Sequence, residues 1–356
     1  MPHPSRLAGC CTTLLLLALC SEALADPEPP APEESAADSE APTPEEARAD
    51  ELPSETPGLA GRVFRIVRKP LPDFSISQTA IVGSDFDDLS LDSARTTLTA
   101  GVAFPLTKRS VLRLRGSGQF ALYNFSRDGA LGPVPPTQLD LGDFFTNRWE
   151  LIGRYKFSDR WAGVAGLRLG SNVESGASYA DGLRFAGLAG FGFRNRANFT
   201  LVLGVVLGTR IDRSSIRVGP LVDFKWQFAE RYKIESSGLG LRFTGTVNDR
   251  LDLFVSGRMS GIRYLLADRS GDGACPPPED GPCIPDLGSK GTMRDRWAPI
   301  LVGADWEFAK HWVLRAHIGA VAYRKISFHD EDGEELSSHT ADGSALVLGL
   351  RVRFRI

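Results

Sequence analysis

Arginine recurs at alternate positions along much of this 356-residue sequence, and that spacing carries its chemistry. At the C-terminal end, Leu346, Leu348, Leu350, Val352, Phe354 and Ile356 alternate with Val347, Gly349, Arg351, Arg353 and Arg355. Successive strand residues point to opposite faces, so one face here is apolar and the other carries guanidinium groups. The same phase elsewhere puts Arg113, Arg115, Arg154, Arg168, Arg184, Arg210, Arg217, Arg242, Arg258, Arg315 and His317 on the polar side. Arg148, Lys156, Arg194 and Lys225 join them; the acids in that phase are Glu150, Asp223, Asp252, Asp305 and Glu307. If the polar faces enclose a space, fixed positive charge is in excess there. Rings of Arg and Lys bias a pore toward anions by field and by local pairing. The same charges also suit a lumen filled by ion pairs and water, and the sequence leaves both readings open.

Other chemistries have weaker marks. A hydrolase needs a nucleophile, a base and an orienting group that converge. The spacing of His311, His317, His329 and His339 marks no such set, so neither an enzyme nor a cofactor is expected. Asp268, Ser270, Asp272 and Gly273, and the acidic run 330–335, have the oxygen donors of a calcium loop but read more simply as solvated loops. Cys275 and Cys283 share one Pro-rich loop, where an exported chain would join them in a disulfide. Two cysteines do not make a structural zinc site. The positive charge is spread along many strands rather than gathered in one patch, so no nucleic-acid partner is expected.

The elements that position these arginines are long strands. After the first 25 residues there is no apolar run long enough for a spanning helix. The period-two segments run about ten to fourteen residues, longer than ordinary globular strands and matched to a tilted membrane crossing. The off-face carries little apolar material with which to build a second packed layer. Short turns at 107–109, 158–160, 195–198, 229–231, 248–250 and 309–311 alternate with longer loops near 84–94, 126–146, 171–181, 266–295 and 326–343. Phe104, Phe157, Trp161, Phe193, Phe199, Phe228, Tyr232, Phe308 and Trp312 sit beside the short turns, where an interfacial aromatic girdle belongs. The expected fold is all-β: a transmembrane antiparallel up-and-down barrel over 73–356, with short turns facing the periplasm. Only sixteen residues separate the turns at 229–231 and 248–250. If they hold a hairpin near Ser236, the count is fourteen strands; if that hairpin does not span, it is twelve.

The N-terminal region differs. Arg6, the apolar run 13–20 and Ala23-Leu24-Ala25 read as a cleaved secretory signal over 1–25, with a mature start at Asp26. Residues 26–60 hold eight prolines and little large apolar material, and read as a disordered acidic periplasmic segment. Residues 61–72 are a lead-in to the barrel or a plug. The first sixty residues carry twelve acids and two bases, so the remainder has a formal charge of about +7, hidden within the whole-chain −3.

The stretches Gly219-Pro220-Leu221, Trp226-Gln227-Phe228-Ala229-Glu230-Arg231-Tyr232-Lys233-Ile234, Leu239-Gly240-Leu241-Arg242-Phe243 and Asn248-Asp249-Arg250-Leu251 resemble domain-of-unknown-function family 6268. This is a family of bacterial outer-membrane barrels with a similar order of strand, short turn, short hairpin and strand. The resemblance implies fold and location and carries over no substrate or catalytic residue. The expected function is passive passage of small polar or anionic solutes across the outer membrane. The alternatives are a structural or surface-interaction barrel with a filled lumen, and uptake of apolar small molecules. Outer-membrane lipid, lipopolysaccharide and the barrel-assembly machinery are the expected partners, with the solute itself unspecified.

Overall fold

The computed structural model describes residues 59–61, 63–64, 69–86, 89–127, 141–195, 198–209, 211, 216–236, 238–268, 290–341 and 343–355. The expectations for the leader, for most of the acidic segment and for the Cys275 and Cys283 disulfide lie outside these residues.

A short 3₁₀ turn, Leu59–Gly61, precedes the strands. These are β1 (Leu71–Phe86), β2 (Leu89–Pro105), β3 (Ser110–Arg127), β4 (Phe144–Lys156), β5 (Trp161–Glu174), β6 (Leu183–Asn195), β7 (Phe199–Thr209) and β8 (Ile216–Ala229). They continue as β9 (Tyr232–Ser236), β10 (Gly240–Asn248), β11 (Leu251–Arg258), β12 (Ser260–Leu265), β13 (Thr292–Ala309), β14 (Trp312–His329), β15 (Glu335–Thr340) and β16 (Ala345–Arg355). Neighbours around the ring pair antiparallel. The last strand pairs back onto the first, from Asp73 opposite Arg355 to Val82 opposite Leu346. β11 and β12 are two parts of one broken strand along β13, and β15 and β16 are two parts of one along β14. The result is a closed barrel of fourteen strands.

Closure and sequence pattern have one cause. In lipid every backbone N–H and C=O needs an internal partner, which strands achieve only by leaving no open edge. The outward positions are apolar and exposed, among them Leu98, Trp149, Leu167, Phe185, Phe191, Leu203, Val218, Val222, Ile300, Val302, Ile318 and Leu350. So large an apolar surface belongs against lipid, and the barrel is transmembrane. At the short-turn end, aromatic side chains meet in pairs with ring centroids 5.0–5.9 Å apart: Tyr155 with Phe157, Trp161 with Phe193, Trp226 with Phe228, Trp306 with Phe308 and Trp312 with Phe354.

Three expectations need correction. The stretches 84–94 and 326–343 are mostly strand, not loop: β1 reaches Phe86, β2 begins at Leu89, β14 reaches His329 and β15 follows. Their inward polar residues find partners inside the barrel, as when Arg324 donates to Ser84 Oγ (2.8 Å) and to Ser93 Oγ (3.0 Å). Several strands are also longer than expected, up to 18 residues in β3, β13 and β14. Third, the inner face is not uniformly polar. At the long-loop end Phe86, Leu91, Tyr123, Phe144, Ile262, Tyr264, Leu266, Met293, Ile326 and Phe328 form a buried apolar cluster.

This cluster exists because one strand leaves the wall. Opposite the break between β11 and β12, β13 has a register shift between Trp297 and Pro299. Proline has no N–H to give the ladder and is tolerated in sheets at such irregularities. Beyond it β12 crosses the barrel. Leu265 pairs with Val173 of β5, a strand on a distant part of the ring. Asn172 Nδ2 donates to Arg263 O (2.8 Å). The Tyr264 ring lies 4.4 Å from that of Phe144. β12 is thus a lid across the long-loop end.

Candidate functional site

Beneath the lid lies a cavity of about 640 Å³ that reaches from Asn172, Ile262 and Trp297 down to Asn248, Arg250 and Arg353 at the short-turn end. Among the described residues, thirteen basic and six acidic side chains line it. The strand pleat explains the bias, because positions alternating with outward Leu, Ile and Val are those where this sequence places arginine.

Arg113, Arg154, Arg184, Arg242, Arg258, Arg315, His317, Arg351 and Arg353 all line this cavity. Arg115, Arg168 and Arg217 alternate with outward apolar residues on their strands but are not part of its lining. Arg168 donates to Glu150 Oε2 (3.1 Å). Arg210, Cys275, Cys283 and the side chain of Arg355 lie outside the described residues. The His317 ring fills the space in front of Gly349, where any Cβ would collide with it.

Two of the acids, Asp305 and Asp73, are each shared between two arginines. Asp305 accepts from Arg315 Nε (2.6 Å), from Arg315 Nη2 (2.9 Å) and from Arg242 Nη2 (2.8 Å). Asp73 pairs with Arg113 and lies 3.8 Å from Arg353. Across β8 to β11 the pairs are Lys225 with Glu235 (3.4 Å) and Lys233 with Asp252 (3.5 Å). One carboxylate between two guanidiniums leaves a net positive charge, so the pairing reduces the positive field of the lumen without abolishing it. Apolar surface faces the same space. Arg242 lies 3.8 Å over the Phe254 ring and Arg95 3.8 Å over Trp297, with Ile262, Leu301 and Val347 nearby.

A second insert narrows the lumen along β5, β7 and β8. Ala60, Val63 and Phe64 pack on the inward faces of Ala162, Val164, Val202 and Leu221. Ala60 N donates to Asp223 Oδ2 (3.4 Å), and Ser236 Oγ donates to Asp223 Oδ1 (3.1 Å). The Arg194 guanidinium sits 4.3 Å over the Phe64 ring. A side chain at Gly192 would strike Val63, so the glycine makes room for the insert. The inward-packed segment takes in Leu59 and Ala60, just before 61–72.

No family model matches the chain, and no curated protein matches it. Solved structures similar to it include the P. putida toluene transporter TodX, at 9% identity over 84% of this chain and 92% of that one, with a TM-score of 0.37. A Pseudomonas aeruginosa FadL homologue aligns at 10% identity over 81% and 90%, with a TM-score of 0.34. Pseudomonas putida OprB aligns at 10% identity over 80% and 94%, with a TM-score of 0.36. The fold assignment rests on the closed strand ladder of this chain itself.

Sequence reading overlooked several residues that matter. Asp73, Arg95, Lys233 and Glu235 line the cavity. Asp73 directly precedes outward Phe74, and Arg95 lies three positions before outward Leu98, so extending the period-two phase to their strands would have placed both inside. Asp295 and Arg324 had no such signal, because they lie beyond the point where the wall turns inward.

Proposed function

We propose that this chain is an outer-membrane transport barrel that passes small polar or anionic solutes, its short turns in the periplasm and its long loops outside. The observation that carries this reading is the cavity, lined among the described residues by thirteen basic and six acidic side chains. A space of about 640 Å³ argues against a lumen wholly filled by side chains. The alternation of short turns and long loops supports the orientation. Outer-membrane lipid and lipopolysaccharide surround the belt in this reading, and the barrel-assembly machinery inserts it.

We further propose membership of family 6268. The support is that residues 219–251 run in the order strand, short turn, short hairpin, short turn and the start of a strand. Uptake of apolar molecules is a second reading, favoured by the apolar cluster under the lid and by Val63 and Phe64 in the lumen.

The test of the main reading is conductance in planar bilayers under a salt gradient. Anion-selective steps support it; cation preference overturns it.

A further inference from the structure

We propose that the lumen opens sideways into the membrane between β8 and β11, and that this portal admits amphiphilic organic anions dissolved in the lipid. The inference rests on the anion-binding lumen proposed above and adds a route and a ligand class.

The wall is too low at one place. β9 has five residues, β10 nine and β11 eight before the chain turns inward as β12. At about 3.3 Å per residue β9 spans roughly 17 Å, whereas a tilted crossing takes about nine to eleven residues. β8 on one side is fourteen residues long and β13 on the other eighteen. β8 pairs with β9 only from Lys225 to Ala229, with Ser236 Oγ accepting from Phe224 N (2.6 Å) just above. Among the described residues, no strand pairs with this edge of β8 from Ile216 to Asp223.

That edge lies in the apolar belt, for Ile216, Val218 and Val222 are strongly exposed. An unsatisfied backbone edge against hydrocarbon costs several kcal/mol per group, and irregular backbone at membrane depth is tolerated where it borders protein or a wet cavity. The cavity supplies the water. Its lining includes Ser236, Gly240, Leu241 and Gly257 at the top of the low wall. Leu241 is 52% exposed on the lipid side yet still borders the cavity, so lumen and lipid meet there.

The chemistry behind the opening is two-sided. Arg258 lines the cavity at the portal and Arg242 follows, stacked on Phe254. Beyond them Ile262, Trp297 and Leu301 offer apolar surface. A carboxylate or sulfonate would meet the guanidiniums while its hydrocarbon body lay on the apolar side. A fully polar anion has no reason to use this path.

Gly257 allows a direct test, since a side chain there would project into open space. The full-length protein in liposomes is mixed with 11-(dansylamino)undecanoic acid, which partitions into lipid, or with dansylglycine, which stays in water. Saturable emission, displaced by decanoate, reports loading. The portal predicts that Gly257→Trp, and Leu241→Trp as a second variant, slow loading of the long probe by about tenfold, a barrier rise of roughly 1.4 kcal/mol, while dansylglycine changes by less than about twofold. Heat-modifiable migration on gels confirms that the variants are folded. If the long probe loads equally fast in wild type and both variants, or if both probes slow together, the portal is wrong. If wild type gives saturable loading of neither probe, the anion-binding lumen fails first and the portal falls with it.

Discussion

Two aspartates on β13, ten residues apart, each hold two arginines, and their surroundings set them to different tasks. Asp305 faces the lumen, and it and its partners Arg242 and Arg315 each keep about a fifth of their side-chain surface exposed. Asp295 lies above the bend at Pro299 and is wholly buried. It accepts from Arg95 (2.6 Å), from Arg324 through two nitrogens (3.2 and 3.1 Å) and from Tyr123 (3.0 Å). Arg324 also donates to Ser84 and Ser93, so the buried group ties together β1, β2, β3, β13 and β14. A buried charge without its partner is far costlier than a wet one. The upper group therefore fixes structure and the lower one sets field.

The largest effect should come from breaking the dry group. Asp295→Ala leaves two buried guanidiniums without their carboxylate and should cost about 3–5 kcal/mol. Urea unfolding of the protein in detergent or lipid, followed by tryptophan fluorescence, measures it; an unchanged midpoint would erase the contrast between the two aspartates. Next is the lid. Glu174 accepts from Gly142 N (2.6 Å) and from Ala267 N (2.8 Å), just past the end of β12. Glu174→Ala leaves two half-buried backbone donors without this acceptor, at about 1 kcal/mol each, and should raise single-channel conductance as the lid loosens. Conductance equal to wild type would mean that β12 does not limit flow.

Smaller shifts are expected in the wet half. Asp305→Asn should move the anion-to-cation permeability ratio upward and Arg315→Gln downward, each by about two- to threefold, or roughly 0.5 kcal/mol for one screened charge. Reversal potentials of the two variants check the sign, and shifts in the same direction would contradict it. Neither should approach the unfolding cost of Asp295→Ala.

The lower half was legible because its rule is local. Outward Leu350 and inward Arg351 follow from alternation alone, and closure of the ring then follows from the membrane's demand on backbone groups. The short hairpin at Ser236 was visible as a spacing between turns. The upper half follows a different rule. Ser84 and Ser93 have loop-like composition, yet both accept from Arg324 of β14, and no local pattern reports a partner more than two hundred residues away. Tyr264 and Ile262 look like ordinary strand residues; only the break at Met259 and the proline at 299 hint that the strand bends inward. The N-terminal insert is similar, since Val63 and Phe64 make sense only against the apolar inner faces of β5, β7 and β8.

If excess arginine in the lumen attracts anions, the reversal potential of the wild-type protein under a potassium chloride gradient must show it. Chloride preference is expected, weakening as salt rises from about 0.1 M to about 1 M, because the Debye length shrinks from roughly 10 Å to roughly 3 Å. Potassium preference at low salt would contradict it.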